Sequence, residues 1–201
     1  RLAMFAAQMV GFATAMFGLV AADNFLLMYV FWEITSMLSY LLVSYYAERA
    51  SSRRAAQQAL MVTALGGLSM LMGIILLGRQ TGAWTFSDIA AYQHFAQTPF
   101  VTVAIVLILA GALTKSAIAP AHFWLPGAMA APTPVSAYLH SAAMVKAGIY
   151  LVARLAPSMY EVSTWHVVVI SLGVFTMLLG GWMALKQRDL KLCLLYTSDA
   201  A

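Results

Sequence analysis

The chain has 201 residues, of which 63% are hydrophobic and only 9% charged, with a formal net charge of +4. Soluble globular domains carry about 25% charged residues, so this composition excludes one and points to a membrane protein. The small positive charge sits in loops, where it bears on topology and not on nucleic-acid binding, and the lone Cys193 permits no internal disulfide.

The chain opens at Arg1 without a methionine or a signal-peptide pattern, which reads as a piece of a longer protein. Six apolar spans are expected, at about 2–20, 24–46, 57–78, 101–126 (broken), 135–155 and 164–185, each near the length a helix needs to cross a bilayer. Their apolar residues run continuously and do not alternate, which excludes a β-barrel. The fold class is therefore all-α, a polytopic transmembrane helical bundle. Between the third and fourth spans, TFSDIAAYQHF predicts a short interfacial helix with Trp84 and Tyr92 as aromatic anchors.

Orientation follows from the loops. The linker after the second span, ERASSRRAAQQ, carries Arg49, Arg53 and Arg54, and the segment after the sixth carries Lys186, Arg188 and Lys191. The intervening loops hold Asp23, then Arg79 with Asp88, then Arg154 with Glu161. Strict alternation puts the strongly basic loops on one side, which the positive-inside rule makes cytoplasmic.

Ionisable residues inside the spans are the candidates for function. Glu33 stands about ten residues into the second span, Lys115 about fifteen into the fourth, and Lys146 about twelve into the fifth. A lysine at a helix centre costs roughly 2.5–3.5 kcal/mol on an insertion scale, and intramembrane charges usually mark ion or proton pathways. Glu33 reads either as a carboxylate pinned to a lysine to hold helices together or as one that modulates the charge of that lysine. Lys115 has the stronger claim. It lies between Thr114 and Ser116, and Pro120 and His122 follow within seven residues. Pro120 lacks a backbone donor and clashes with the carbonyl of residue 116, which predicts a helix break there. Freed carbonyls at membrane depth survive only when buried in protein or lining a wet cavity, and broken helices with an ionisable residue recur at transporter midplanes. His140 and Lys146 are six residues apart, so on a straight helix they face different neighbours, as stations of a lateral relay would. His140 also reads as a histidine satisfied by a serine or a backbone carbonyl, and His122, nearer the end of the broken helix, reads equally as a further residue of the proton pathway and as a positioning residue. Gly66-Gly67 and Gly180-Gly181 read as close-packing points. No metal site and no cofactor are implied.

Three stretches carry a family resemblance: FWEITSMLSYLL, TKSAIAPAHFWLPGAMAAPTPVSAYLHSAAMVKAGIYL and GGWMALKQRDLK. They resemble the large antiporter-like membrane subunits shared by multisubunit sodium/proton antiporters and proton-pumping NADH:quinone oxidoreductase, most of all the large A subunit of the antiporters. The resemblance covers the chain to about Leu192, so 1–192 is expected to be the transmembrane core. It implies two inverted five-helix repeats, each with a broken helix, of which this chain holds one and the first helix of the next. Carried over by position, Glu33 is the family's paired glutamate, Lys115 the lysine of the first broken helix, and His140 and Lys146 the connecting relay.

The implied function is a proton-translocating subunit of a multisubunit cation/proton antiporter, which is part of a secondary transporter and not an enzyme. Its expected partners are other membrane subunits, protons, and sodium or another monovalent cation. Its expected place is the bacterial plasma membrane, as a multi-pass protein. The alternatives are a pumping subunit of a redox-driven complex, which would make it part of a translocase, and a scaffold that transports nothing. Cys193 to Ala201, CLLYTSDAA, departs from the family pattern and reads as an artefactual tail.

Overall fold

The computed structural model describes residues 2–46, 48–92, 98–129, 131–160 and 162–187. Glu161, Arg188, Lys191 and the stretch from Cys193 to Ala201 lie outside the described residues. Among the described residues the fold is all α, as continuous apolar runs require. The helices are α1 (Leu2–Ala21), α2 (Phe25–Val43), α3 (Ala50–Thr81), α4 (Phe86–Ala91), α5 (Pro99–Lys115), α6 (Trp124–Ala128), α7 (Thr133–Val135), α8 (Met144–Leu155) and α9 (Ser163–Lys186). A π-helical stretch, Ser136–Ala143, runs between α7 and α8. Of the described helices, α1, α2, α3 and α9 are each long and apolar enough to cross a bilayer. At 17 residues α5 is shorter, because the chain leaves the helix directly after Lys115.

Local chemistry sets the helix ends. Asn24 caps α2, its side chain accepting from the backbone N–H groups of Leu26 and Leu27. Thr98 caps α5 by accepting from Val101 N–H, and Pro99 follows at the first helical position, where its missing donor costs nothing. The helix α3 starts at Ala50, ahead of the apolar run at 57, because the arginines, alanines and glutamines of SSRRAAQQ are good helix formers. It ends on Gly82 at φ +73°, a left-handed stop suited to glycine.

The central element is α3, which packs against α2, α5 and α6. Its crossing with α5 brings backbone onto backbone. A Cβ on Gly73 would lie 2.6 Å from the Ala104 carbonyl oxygen, and one on Gly111 would lie 2.6 Å from that of Gly66. No side chain fits at either point. The buried apolar residues form two clusters, one following α5 as far as Ala112 and the other joining Phe12, Leu42 and Ala56 to the chain from Ala117 onward. Lys115 falls in the gap between them.

The end of the bundle that holds the α1–α2, α3–α4 and α8–α9 turns is tied together. Arg154 pairs with Asp23 at 3.1 Å, donates to the carbonyls of Val20 and Ala22, and stacks 4.3 Å above the Phe86 ring. Asp23 also accepts from Ser87. The α4 helix is thus docked through buried Phe86 and Ile89, while Tyr92 is exposed and Trp84 is half-buried beside Gly78. Elsewhere α1 and α9 expose large apolar side chains, among them Phe17, Val167, Leu178 and Trp182, the pattern of a lipid-facing or partner-facing helix.

Candidate functional site

The break after α5 positions the site. Lys115 is the last helical residue, Ser116 caps the helix, and Ala117 turns the chain out at φ +52°. A single 3-10 turn, Ala121–Phe123, then leads into α6. The chain therefore leaves the helix at Ser116, four residues before Pro120 and the residue whose carbonyl a helical Pro120 would strike. The polar groups released by the break find partners in protein. Ile118 N–H bonds the Leu113 carbonyl at 3.0 Å, and Trp124 Nε1 donates to the Thr114 carbonyl at 3.0 Å. Ser116 Oγ donates to the Val145 carbonyl at 2.7 Å, and Ala119 N–H donates to Thr176 Oγ1 of α9 at 3.1 Å. Irregular backbone at membrane depth is stable under that condition.

Lys115 is completely buried, at 0% exposure. Its Nζ donates to the Trp32 carbonyl oxygen at 2.6 Å, to Thr35 Oγ1 at 2.6 Å and to Ser36 Oγ at 3.0 Å. It also lies 4.4 Å from the centroid of the Trp32 indole, within cation–π range. An ammonium has three donors and no acceptor, so three oxygens from one turn of α2 satisfy it fully. Among the described residues, no carboxylate is one of its hydrogen-bond or ion-pair partners.

Glu33 sits in that same turn and is near enough to Lys115 for the two charges to interact. Its carboxylate points at α3, where a Cβ on Gly67 would collide with Oε1. That oxygen is buried and has no hydrogen-bond partner among the described residues. Tyr29, one turn earlier on α2, is its other neighbour. On the adjoining Gly66 a Cβ would collide with Thr114 Oγ1. The two glycines are thus where Glu33 from α2 and Thr114 from α5 both press against α3.

The other candidates lie along the bundle. Lys146 of α8 is half-buried and lines a cavity of about 260 Å³ between α5, α8 and α9, together with Ser116 and Thr176. His122, in the 3-10 turn, is half-buried against α9, and its Nδ1 has no partner among the described residues. The backbone of His140 falls in the π-helical stretch, and its side chain lies outside the described residues. Because Ser136–Ala143 is π-helical, the straight α-helix assumed in relating His140 to Lys146 does not hold there. Sequence reasoning missed the Trp32 carbonyl, Thr35 and Ser36. Their only signal was a pair of hydroxyls two and three residues after Glu33 in an otherwise apolar helix.

Residues 22–200 match the family described as NADH:quinone oxidoreductase/Mrp antiporter, TM. The chain belongs to this family. Within it, the chain is 45% identical over 195 residues to the A/B subunit of a probable K(+)/H(+) antiporter of Rhizobium meliloti (strain 1021), covering 96% of this chain and 20% of that protein. It is 45% identical over 199 residues to the A subunit of an Na(+)/H(+) antiporter of Bacillus subtilis (strain 168), covering 98% of this chain and 25% of that one. In the solved Mrp complex from Dietzia sp. DQ12-45-1b, one chain superposes with a TM-score of 0.89 at 40% identity, over 96% of this chain and 21% of its own length. This chain therefore spans a fifth to a quarter of these relatives. The resemblance carried by FWEITSMLSYLL and the central block is borne out as a family relationship, and so is the polytopic all-α fold.

Proposed function

We propose that this chain is part of a proton-translocating subunit of a multisubunit cation/proton antiporter, with Lys115 as the proton-exchanging group. The observation that carries the reading is an ammonium with 0% exposure, held at a helix break by three uncharged oxygens. Burying such a group costs several kcal/mol per ion, and an apolar side chain would hold these helices together without that cost. Lysine at this depth is useful because its charge responds to burial and to a nearby carboxylate. Protons reach Lys115 by a half-channel on one side, Glu33 biases its charge, and Lys146 with His140 pass the change along the bundle. His122 positions the short helix after the break. The partners are the other membrane subunits of the antiporter, in a bacterial plasma membrane. The exchanged ion is a monovalent cation; the two relatives above carry potassium and sodium in their names.

A second reading places the chain in a redox-driven complex, because the family description names NADH:quinone oxidoreductase beside the antiporters. Genes for small antiporter subunits beside this one support the first reading, and genes for iron–sulfur and flavin subunits support the second. The deciding experiment for the site uses the full-length gene and measures proton flux in membrane vesicles, normalised to assembled protein. Lys115→Ala and Lys115→Arg should both lose flux by about 100-fold or more, the scale of a positioned proton-transfer group. Arginine keeps the charge but cannot release a proton. Full flux in Lys115→Arg would show that fixed charge is what this position supplies, as a scaffold requires.

A further inference from the structure

We propose that Thr35 and Ser36 are positioning residues of the Lys115 proton site, a reading that rests on the function proposed above. Their hydroxyls supply two of the three oxygens around Lys115 Nζ and, with the Trp32 carbonyl, hold it on α2 without the Glu33 carboxylate. Thr35 Oγ1 donates to the Trp32 carbonyl at 2.7 Å and Ser36 Oγ donates to the same oxygen at 3.1 Å. With their protons directed there, both hydroxyls turn lone pairs toward the ammonium. Thr35 and Ser36 are themselves buried, at 0% and 1% exposure, so solvent does not compete for these bonds.

The choice of hydroxyls has a consequence that carbonyls would not have. An ammonium needs three acceptors. A neutral amine needs two, and it offers a lone pair that wants a donor. A carbonyl can only accept. A hydroxyl can rotate about its C–O bond and donate to Nζ instead, so the same pair of side chains satisfies the lysine in either charge state. A buried polar group left without a partner is costly. The two hydroxyls remove that penalty from both ends of the titration, and they do so at a fixed position on α2. Lys115 therefore keeps a defined place beside Glu33 whether or not the two charges are paired.

The test is the pH profile of proton flux in vesicles carrying the full-length assembled protein. The variants are Thr35→Val with Ser36→Ala together, and the hydroxyl-retaining pair Thr35→Ser with Ser36→Thr. The hydroxyl-less double variant should assemble normally, lose about tenfold in flux, and show a displaced pH midpoint, while the hydroxyl-retaining pair should restore the wild-type profile. Wild-type flux with a wild-type midpoint in the double variant overturns the proposal. Failure of the double variant to assemble also overturns it, since the hydroxyls would then be helix glue. A Lys115→Arg protein with full flux would sink the broader reading of Lys115 as a proton-exchange site. An inactive Lys115→Arg beside an unaffected double variant would sink only the role of the hydroxyls.

Discussion

The ammonium of Lys115 ends 2.6 Å from the carbonyl oxygen of Trp32, the residue before Glu33, and not on the Glu33 carboxylate. The two charges are close enough to interact, yet each has its own surroundings, Lys115 among hydroxyls and Glu33 against Gly67 and Tyr29. On the function proposed above, this separates assembly from transport in a way that a direct ion pair would not. Breaking a buried pair by removing one partner is strongly destabilising, by about 3–5 kcal/mol. Here Glu33→Gln leaves every hydrogen bond of Lys115 in place.

The expected outcome for Glu33→Gln is accordingly normal assembly with proton flux reduced roughly tenfold, within the roughly 5–150-fold that coupling between two sites typically spans. Flux in vesicles and the amount of assembled complex on a native gel are measured together. Unchanged flux at unchanged assembly would remove Glu33 from the pathway. A collapse of assembly would make it structural.

Two glycines give a contrasting pair. A Cβ at Gly67 meets the end of a flexible side chain, the Glu33 carboxylate. One at Gly111 meets Met70 Cβ and, at 2.6 Å, the Gly66 carbonyl, and helix backbone cannot step aside. Gly67→Ala should therefore assemble but move the carboxylate and lower flux. Gly111→Ala should cost about 1–3 kcal/mol by overpacking and reduce the amount of assembled protein. Equal behaviour of the two, by yield and thermal stability of purified protein, would show that the α3 contacts are not as close as described.

How much of this was legible beforehand differs from residue to residue. Lys115, Glu33 and the break stood out because a charge or a proline inside an apolar run violates the local pattern, and such violations are visible without knowing what packs where. Thr35 and Ser36 did not, because a hydroxyl bonded back to its own helix is an ordinary sight, and only the rotation of α2 against α5 reveals that both face Nζ. Gly66-Gly67 was legible as a packing point but not as the meeting place of Thr114 and Glu33, which depends on three helices at once. Nothing in SAYLHSAA announces a π-helical stretch, and the exit from α5 falls at Ser116 and Ala117 when the visible marker was Pro120.

The tie between Asp23 and Arg154 invites a stability test well away from the lysine. The ion pair is partly exposed, at 28% for the arginine side chain and 45% for the aspartate, and such pairs are worth about 0.2–1 kcal/mol. Arg154 does more than pair: it also bonds two α1–α2 carbonyls and covers the Phe86 ring. Asp23→Asn should shift the melting temperature little, while Arg154→Ala should lower it clearly, with flux per assembled complex unchanged in both. A larger loss from Asp23→Asn than from Arg154→Ala would mean the charge pair, and not the arginine's wider contacts, holds this end together.

Orientation can be decided on α3 alone. The helix runs without interruption from Ala50 to Thr81, 32 residues, or about 48 Å at 1.5 Å per residue, which exceeds the roughly 30 Å of bilayer hydrocarbon. Its two ends must therefore lie on opposite sides if it crosses at all. Ser51 at one end and Gln80 at the other are both exposed, so a cysteine at either is open to reagent. With Cys193 replaced by serine, Ser51→Cys, beside Arg53 and Arg54, should react with a membrane-impermeant maleimide only in inside-out vesicles. Gln80→Cys should react only in intact cells. The reverse pattern would invert the orientation drawn from the basic loops, and labelling of both from one side would show that α3 does not span the membrane.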